Sequence, residues 1–392
     1  MNKIEIILKV TDACNLRCKY CYNSDKAYER NCLSLAHFEK LLNVLLTGYN
    51  MIHIIWHGGE PLCVGLDYFK QAMDVEEKIR IQSGVTIENS IQTNGTLINK
   101  EWVRFFKKYD FRVGISFDGI ENEKYRGQTD KVLRGMELLK EAGLRFGCNA
   151  VVSGDDYDLK ANYRFFKERG ISFDFSALLS EGGGKDMPST QCVQYAQKLC
   201  DLFDEWIYDT EGVSLRTFSM YINLASGGKF RVCTCASCHL KYLSISPDGT
   251  VYNCGRDSIS KYPFGNIDSF ETTKEIFSSE GAKALIGGSV LRREKCRANC
   301  EYFSACAGGC ADIAIMENGL ENQPTNYCYT FKTVYKHVSE RFAEILRQKI
   351  PLTQLNPSVK GVLARNLAKM TATTENGLAD TYVSAKAQVT AE

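Results

Sequence analysis

Apolar and polar positions alternate in a regular beat along the first 180 residues. IEIILKV (4–10), MIHIIWH (51–57), VTIENSIQT (85–93), FRVGISF (111–117), RFGCNAVV (145–152) and ISFDFSAL (171–178) have strand composition. Between them the period lengthens to that of a helix. In SLAHFEKLLNVLLTGY, Leu35, Phe38, Leu41, Leu42 and Leu45 share one face, and Ser34 is placed to cap the first turn. EWVRFFKKY and VLRGMELLKEAG behave similarly, the second stopping at Gly143. Six such strand–helix alternations predict an α/β fold on a parallel sheet, either open and doubly wound or a partial (β/α)6 barrel of TIM type. Either architecture collects ligands at the C-terminal ends of its strands.

The pattern changes after about residue 180. EGGGKDMPST reads as a linker and QYAQKLCDLFDEWIYD as a helix. From Cys233 the chain is dense in cysteine, with few long periodic elements. CTCASC groups Cys233, Cys235 and Cys238; Cys254 follows, then Cys296, Cys300, Cys306 and Cys310, then Cys328. A small, loop-rich region of this kind lacks a large apolar core and is expected to be held by metal. KHVSERFAEILRQ is expected to be helical. Residues 357–392 hold no cysteine and a single aromatic, Tyr382, so the chain after 350 is expected to be a mobile or weakly helical tail.

Composition narrows the chemistry. The 392 residues have room for about two domains. A net charge of +1 provides no electrostatic footprint for nucleic acid or an acidic membrane. The first apolar run, bounded by Glu5 and Lys9, is too short to span a bilayer and does not read as a signal peptide. Seventeen cysteines without an export signal point to a reducing cytoplasm and to metal binding, against a disulfide framework.

Directly after the first strand, TDACNLRCKYCYN sets Cys14, Cys18 and Cys21 in a C-x3-C-x2-C frame. Structural zinc prefers four ligands, often in C-x2-C pairs. This trio has no fourth thiol beside it and would have to borrow His37 or His57 through the fold. An iron–sulfur cluster takes closely spaced cysteines on one loop. Three thiolates on a cubane leave one iron open to chelate the amino and carboxylate groups of a cofactor.

The frame, with aromatic Tyr20 before its third cysteine, resembles the radical S-adenosylmethionine (radical SAM) superfamily. The resemblance extends to Gly58-Gly59-Glu60-Pro61 after the second strand, to QTNG with Asn94 after the third, and to Ser116 closing the fourth. It implies that Gly58, Gly59 and Glu60 hold the methionine amino group, that Ser116 and Arg126 contact ribose and carboxylate, and that Tyr20 lies near the adenine. Reduction would cleave S-adenosylmethionine to a 5′-deoxyadenosyl radical. Cys238-x10-Gly249-x4-Cys254, Cys296-x3-Cys300-x5-Cys306-x3-Cys310 and Cys328 resemble the SPASM extension, which carries two auxiliary 4Fe–4S clusters. The usual first spacing there is C-x2-C, one residue shorter than here. By resemblance the first auxiliary cluster takes Cys238, Cys254, Cys310 and Cys233, with Cys235 the alternative to Cys233. The second takes Cys296, Cys300, Cys306 and Cys328. Three 4Fe–4S clusters are thus implied, with a radical SAM barrel over 1–215, a SPASM domain over 216–350 and the tail over 351–392.

This combination is similar to radical enzymes that modify peptides and proteins. In anaerobic sulfatase maturases a carboxylate follows the cysteine that here is Cys254. Gly255 stands at that position, and Asp257 is the nearest substitute base. The departure favours an enzyme that forms an internal cross-link, thioether or carbon–carbon, in a precursor peptide. A sulfatase maturase making formylglycine from Ser or Cys is the alternative, and a small-molecule radical dehydrogenase the second alternative. Expected partners are the peptide or protein substrate, an electron donor of flavodoxin or ferredoxin type, and a separate leader-binding protein where the barrel face does not itself capture the substrate.

Overall fold

The computed structural model describes residues 2–154, 156–178, 184, 192–228 and 238–370. The predicted strands form as β1 (Lys3–Thr11), β2 (Met51–Gly58), β3 (Thr86–Thr93), β4 (Arg112–Ser116), β5 (Phe146–Val152) and β6 (Phe173–Ala177). Helices α1 (Leu35–Leu46), α2 (Leu66–Ser83), α3 (Lys100–Lys108), the short α4 (Asn122–Tyr125) with α5 (Thr129–Glu141), and α6 (Leu159–Glu168) fall between them. The six strands are parallel and ordered as in the chain, giving the partial (β/α)6 barrel. The Ser34 side chain caps α1 by accepting the His37 amide at 3.0 Å. Gly143, at φ +70°, ends the turn after α5.

Alternation within each strand assigns its faces. Ile4, Ile6, Leu8 and Val10 of β1, Ile52, Ile54 and Trp56 of β2, and Ile87 and Ile91 of β3 are buried in the core with the helices. The opposite face is half-buried and polar. There His53 contacts Ser90 at 2.8 Å, Gln92 donates to Ser116 at 2.8 Å, and Ser176 donates to Asn149 at 3.2 Å. A parallel sheet packed on both faces would read as continuous apolar runs. The polar inner face is what makes these strands alternate.

The segment expected as a linker, 181–190, lies outside the described residues except for residue 184; after it come α7 (Cys192–Trp206) and α8 (Arg216–Ala225). The chain then returns to the sheet with β7 (Tyr242–Ile245), β8 (Thr250–Tyr252) and β9 (Gly265–Asn266). β7 pairs in parallel with β1, opposite β2, so one nine-stranded sheet of order β6-β5-β4-β3-β2-β1-β7-β8-β9 runs through both cysteine regions. The remaining helices are α9 (Thr273–Ser278), α10 (Glu280–Asn299), α11 (Phe303–Cys306), α12 (Ala311–Asn318), α13 (Cys328–Arg347) and α14 (Pro357–Met370). The cysteine-rich region therefore holds longer helices than its pattern showed. α10 spans 20 residues, yet its buried side includes Gly288, Ser289 and Arg292, which carry no hydrophobic signal. The segment expected as a tail begins with α14, whose Val359, Val362 and Leu363 are buried; Asn366 donates to Ser226 at 2.7 Å. Among the described residues no helix is long and apolar enough to cross a membrane.

One polar chain lies within the apolar layer. Trp56 donates through Nε1 to Asn89 at 2.7 Å, and Asn89 donates to Glu76 of α2 at 2.8 Å. Burial pushes the Glu76 carboxyl up to about 7, against the Asn89 hydrogen bond and the Arg80 charge. Between the ordinary carboxylate range and pH 7, the folded protein therefore binds more protons here than the unfolded chain, and stability falls as pH rises through that window. Glu76→Gln keeps the amide contact and removes the titration. Thermal melts should show the variant more stable than wild type at pH 8, by up to about 3 kcal/mol, and little changed at pH 4. An equal effect at both pH values would exclude Glu76 ionisation as its source.

Candidate active site

The loop leaving β1 is pressed against the turn leaving β2. Gly58, at φ +128°, and Gly59 make this approach possible: a Cβ would meet Thr11 O at 2.2 Å on the first and the carbonyls of Asp12 and Ala13 at 2.3 Å on the second. In their absence Gly59 N donates to Thr11 O and Glu60 N to Ala13 O, both at 2.8 Å. Cys14 and Glu60 are thereby held side by side. Glu60 is fully buried and accepts from Thr93 Oγ1 at 2.7 Å, Asn94 N at 2.7 Å and Leu62 N at 3.0 Å. Burial raises its carboxyl, against these donors. A carboxylate seated in this way is suited to an incoming ammonium.

Cys14, Cys18 and Cys21 lie within electrostatic reach of one another. Burial pushes all three thiols up, and Arg126 pulls each back toward the thiolate. Asn94 donates to Cys14 Sγ at 3.9 Å and to Asn15 at 2.9 Å. Buried thiols ionise readily when a cation binds them, which fits an iron–sulfur cluster.

Arg126 donates to the Tyr20 hydroxyl at 2.9 Å, and that hydroxyl donates to Asp118 Oδ2. Asp118 is fully buried, and its Oδ1 accepts from Val151 N at 3.0 Å. Burial opposes the Arg126 charge, but Tyr20, Cys18 and Asp118 more than offset it and hold the guanidinium charged. Ser116 lies on the same inner face, accepting from Gln92. Asp118 was missed at the sequence level. The signal available was its place in ISFDG, two residues after Ser116. His57 supports the turn, its Nδ1 accepting from Gly58 N at 2.9 Å; burial and then Lys9 lower its pKa to about 4.

The remaining cysteines gather as two groups. Cys238 lies within reach of both Cys254 and Cys310, and burial pushes the Cys254 thiol up to about 12. Cys233 and Cys235 lie outside the described residues. Cys296, Cys300, Cys306 and Cys328 line one pocket with Tyr302, Phe303 and Phe331. The extra residue between Cys296 and Cys300 is absorbed where α10 ends, with Cys300 as its last cap. Arg292 joins the two groups. It is 1 % exposed, donates to Gly308 O at 2.9 Å and Gly309 O at 3.3 Å, and lies near Cys238, Cys296 and Cys310. The sequence carried no sign of it. Gly255 sits against Ile7, Lys9 and Ser244. Asp257 begins a short helical turn, and its side chain lies outside the described residues.

A family model of the radical SAM superfamily matches residues 8–160, and one of the SPASM iron–sulfur cluster-binding domain matches residues 228–308. A serine-type anaerobic sulfatase-maturating enzyme of Bacteroides thetaiotaomicron is 30 % identical over 390 residues, covering 88 % of this chain and 92 % of that protein. The chain belongs to the radical SAM superfamily. It is a radical SAM oxidoreductase with a SPASM domain, and its cofactors are S-adenosylmethionine and iron–sulfur clusters. A cysteine-type anaerobic sulfatase-maturating enzyme of Clostridium perfringens is 28 % identical over 369 residues, 88 % of this chain and 99 % of that one. A solved structure described as native anSMEcpe with bound AdoMet and Cp18Cys peptide superposes with TM-score 0.76 at 27 % identity, over 88 % of this chain and 98 % of that chain. Streptococcus suis SuiB bound to precursor peptide SuiA shares the fold, at TM-score 0.60 and 19 % identity over 83 % of this chain and 76 % of that one.

These likenesses correct the expectation of a cross-linking enzyme. That expectation rested on the missing carboxylate at Gly255. The similarity to sulfatase-maturating enzymes, of both the cysteine and the serine type, extends over nearly nine-tenths of the chain and favours the alternative.

The site yields two tests. Replacing Cys14, Cys18 and Cys21 together by Ala should abolish reductive cleavage of S-adenosylmethionine and lower reconstituted iron from about twelve to about eight per chain. Cleavage surviving in that variant would remove the trio from the active cluster. Arg292→Met should leave the loop at Gly308–Gly309 without its donors and lose about four or more irons, while Cys14, Cys18 and Cys21 keep theirs. Full iron in Arg292→Met would show that the arginine is not needed to assemble either auxiliary site.

Proposed function

We propose that this enzyme matures sulfatases, oxidising a cysteine or serine side chain of a protein substrate to formylglycine. The observation that supports the reading is the likeness to sulfatase-maturating enzymes over nearly nine-tenths of the chain. In this reading Cys14, Cys18 and Cys21 hold the active cluster, and Cys238, Cys254 and Cys310 with one of Cys233 or Cys235 hold the first auxiliary cluster. Cys296, Cys300, Cys306 and Cys328 hold the second. When bound, these groups supply the 5′-deoxyadenosyl radical that takes a hydrogen atom from the substrate, and a route for the electron the substrate then gives up.

The chain's own residues bind and orient. Glu60, backed by Thr93 and Asn94, receives the cofactor ammonium. Arg126, fixed by Tyr20 and Asp118, meets its carboxylate, and Ser116 its ribose. The polar inner face of the barrel admits a peptide backbone. A flavodoxin- or ferredoxin-type protein serves as donor, and the division near residue 215 separates the cofactor-binding barrel from the auxiliary domain.

Two outcomes test this. Peptides carrying Cys or Ser at a sulfatase maturation site, incubated with the reduced, reconstituted enzyme, should yield a hydrazide-reactive aldehyde that fragments at every residue. A modified product without an aldehyde would reject the reading. Tyr20→Phe removes the hydroxyl that links Arg126 to Asp118 and should weaken S-adenosylmethionine binding about tenfold with iron unchanged. Unchanged affinity would show that the link does not serve the cofactor.

A further inference from the structure

The hairpin of β7 and β8 turns the chain back on itself, Ser244 pairing with Tyr252. It sets the residues before β7, Cys238 and His239, beside those after β8, Asn253 and Cys254. A tight turn leads into β7. Cys238 O accepts from Lys241 N at 3.0 Å and from Tyr242 N at 3.1 Å, and Leu240 is left-handed at φ +66°. A non-glycine residue rarely takes that conformation, so its surroundings must hold it there. Tyr49 contributes, its hydroxyl donating to Leu240 O at 2.8 Å. The turn brings His239 against Asn253, which is 2 % exposed. Asn253 Nδ2 donates to Cys238 Sγ at 3.8 Å, and its Oδ1 meets His239 Nδ1 at 2.8 Å. An amide oxygen only accepts, so the imidazole carries a proton on Nδ1. With that N–H on its oxygen, the carboxamide presents its NH2 end to the sulfur.

We propose that Asn253 raises the reduction potential of the first auxiliary cluster by donating to Cys238, and that His239 is the positioning residue that fixes the amide. This rests on the reading of Cys238 as a cluster ligand. Uptake of one electron adds one negative charge, shared by the cluster and its thiolate sulfurs. A donor aimed at one of those sulfurs stabilises the reduced state more than the oxidised one, because the sulfur is then more negative. The potential rises accordingly, and hydrogen bonds to the sulfurs are one of the protein's means of setting it. Burial strengthens the effect, since water does not compete for the Asn253 amide. Arg292 lies near the same sulfur, but its guanidinium donates to the Gly308 and Gly309 carbonyls. It acts on the thiolates through its charge, whereas Asn253 acts through a directed bond. In the maturase reading, a raised potential makes this cluster the better acceptor of the electron that leaves the substrate.

The test is a potentiometric titration followed by electron paramagnetic resonance. It uses the reconstituted full chain with Cys14, Cys18 and Cys21 replaced by Ala, so that the auxiliary signals are read alone. Asn253→Leu in that background should lower the midpoint of one signal by about 59 mV, a tenfold shift in a one-electron equilibrium, with iron unchanged. The signal that moves should be the one lost in Cys238→Ala, along with about four irons. Asn253→Asp puts a carboxylate in place of the donor and should lower the midpoint further. His239→Phe should lower it as well, because the amide is then free to turn from the sulfur. A structural role alone would not order the variants in this way. Unmoved midpoints in Asn253→Leu at full iron overturn the proposal and leave Cys238 a ligand. Full iron and both signals in Cys238→Ala overturn the ligand reading and the proposal with it. Should Asn253→Leu fail to load iron, His239→Phe decides: a lowered midpoint supports the proposal and an unmoved one overturns it.

Discussion

Strand β1 is hydrogen-bonded along both edges, to β2 on one side and β7 on the other. That double pairing sets the geometry on which the site depends. On the β2 side, the parallel register brings Thr11 opposite Gly58, so the loop carrying Cys14 lies against the turn carrying Glu60. On the β7 side, Ile7 pairs with Ser244, and Ser244 Oγ donates to Ile7 O at 3.0 Å. The hairpin of β7 and β8 then delivers Cys254 beside the same strand end. A one-residue slip of β1 would turn Lys9 from the inner face to the core and move both cysteine regions out of alignment. The alternation of Ile4, Ile6, Leu8 and Val10 protects against that slip, since each would trade a buried position for a polar face.

Much of this was legible in the sequence, and what was not has a physical reason. The six barrel strands show themselves because their inner face is polar, so the period of two survives in a parallel sheet. The thiol groups show themselves because cluster ligands must cluster along the chain. β7 and β8 do not, being only four and three residues long. Their one cue was the Pro247-Asp248-Gly249 turn between YLSI and TVY, where Gly249 takes φ +86°. α10 escaped because its buried side spends positions on Gly288, Ser289 and Arg292. Asp118 and Arg292 act through partners far away in sequence, and no local pattern records such contacts.

Gly255 shows how far one position can mislead. A missing carboxylate reads as a missing reaction only if that one position is taken to decide the chemistry. In the folded chain that position is bordered by the Lys9 stem, which belongs to a strand some 245 residues earlier. Local sequence reports that a group is absent; only the fold reports what fills its place.

The same logic explains the arginines. Each of the three groups of cysteines contains thiols that burial pushes up, as at Cys14, Cys254 and Cys296. An assembled cluster with its thiolates brings negative charge into that interior, and uncompensated buried charge is costly. Each group has a guanidinium within reach: Arg126 beside the active trio, Arg256 beside Cys254 and Cys310, and Arg292 between the two auxiliary groups. Arginine suits this role better than lysine, because burial can strip a lysine of its proton while a guanidinium stays charged and anchors itself through several donors. Arg292 uses those donors on the Gly308 and Gly309 carbonyls, so the charge that compensates the thiolates also shapes the loop that presents Cys306 and Cys310. Electrostatic compensation and loop geometry are there the work of one side chain, and neither can be altered without the other.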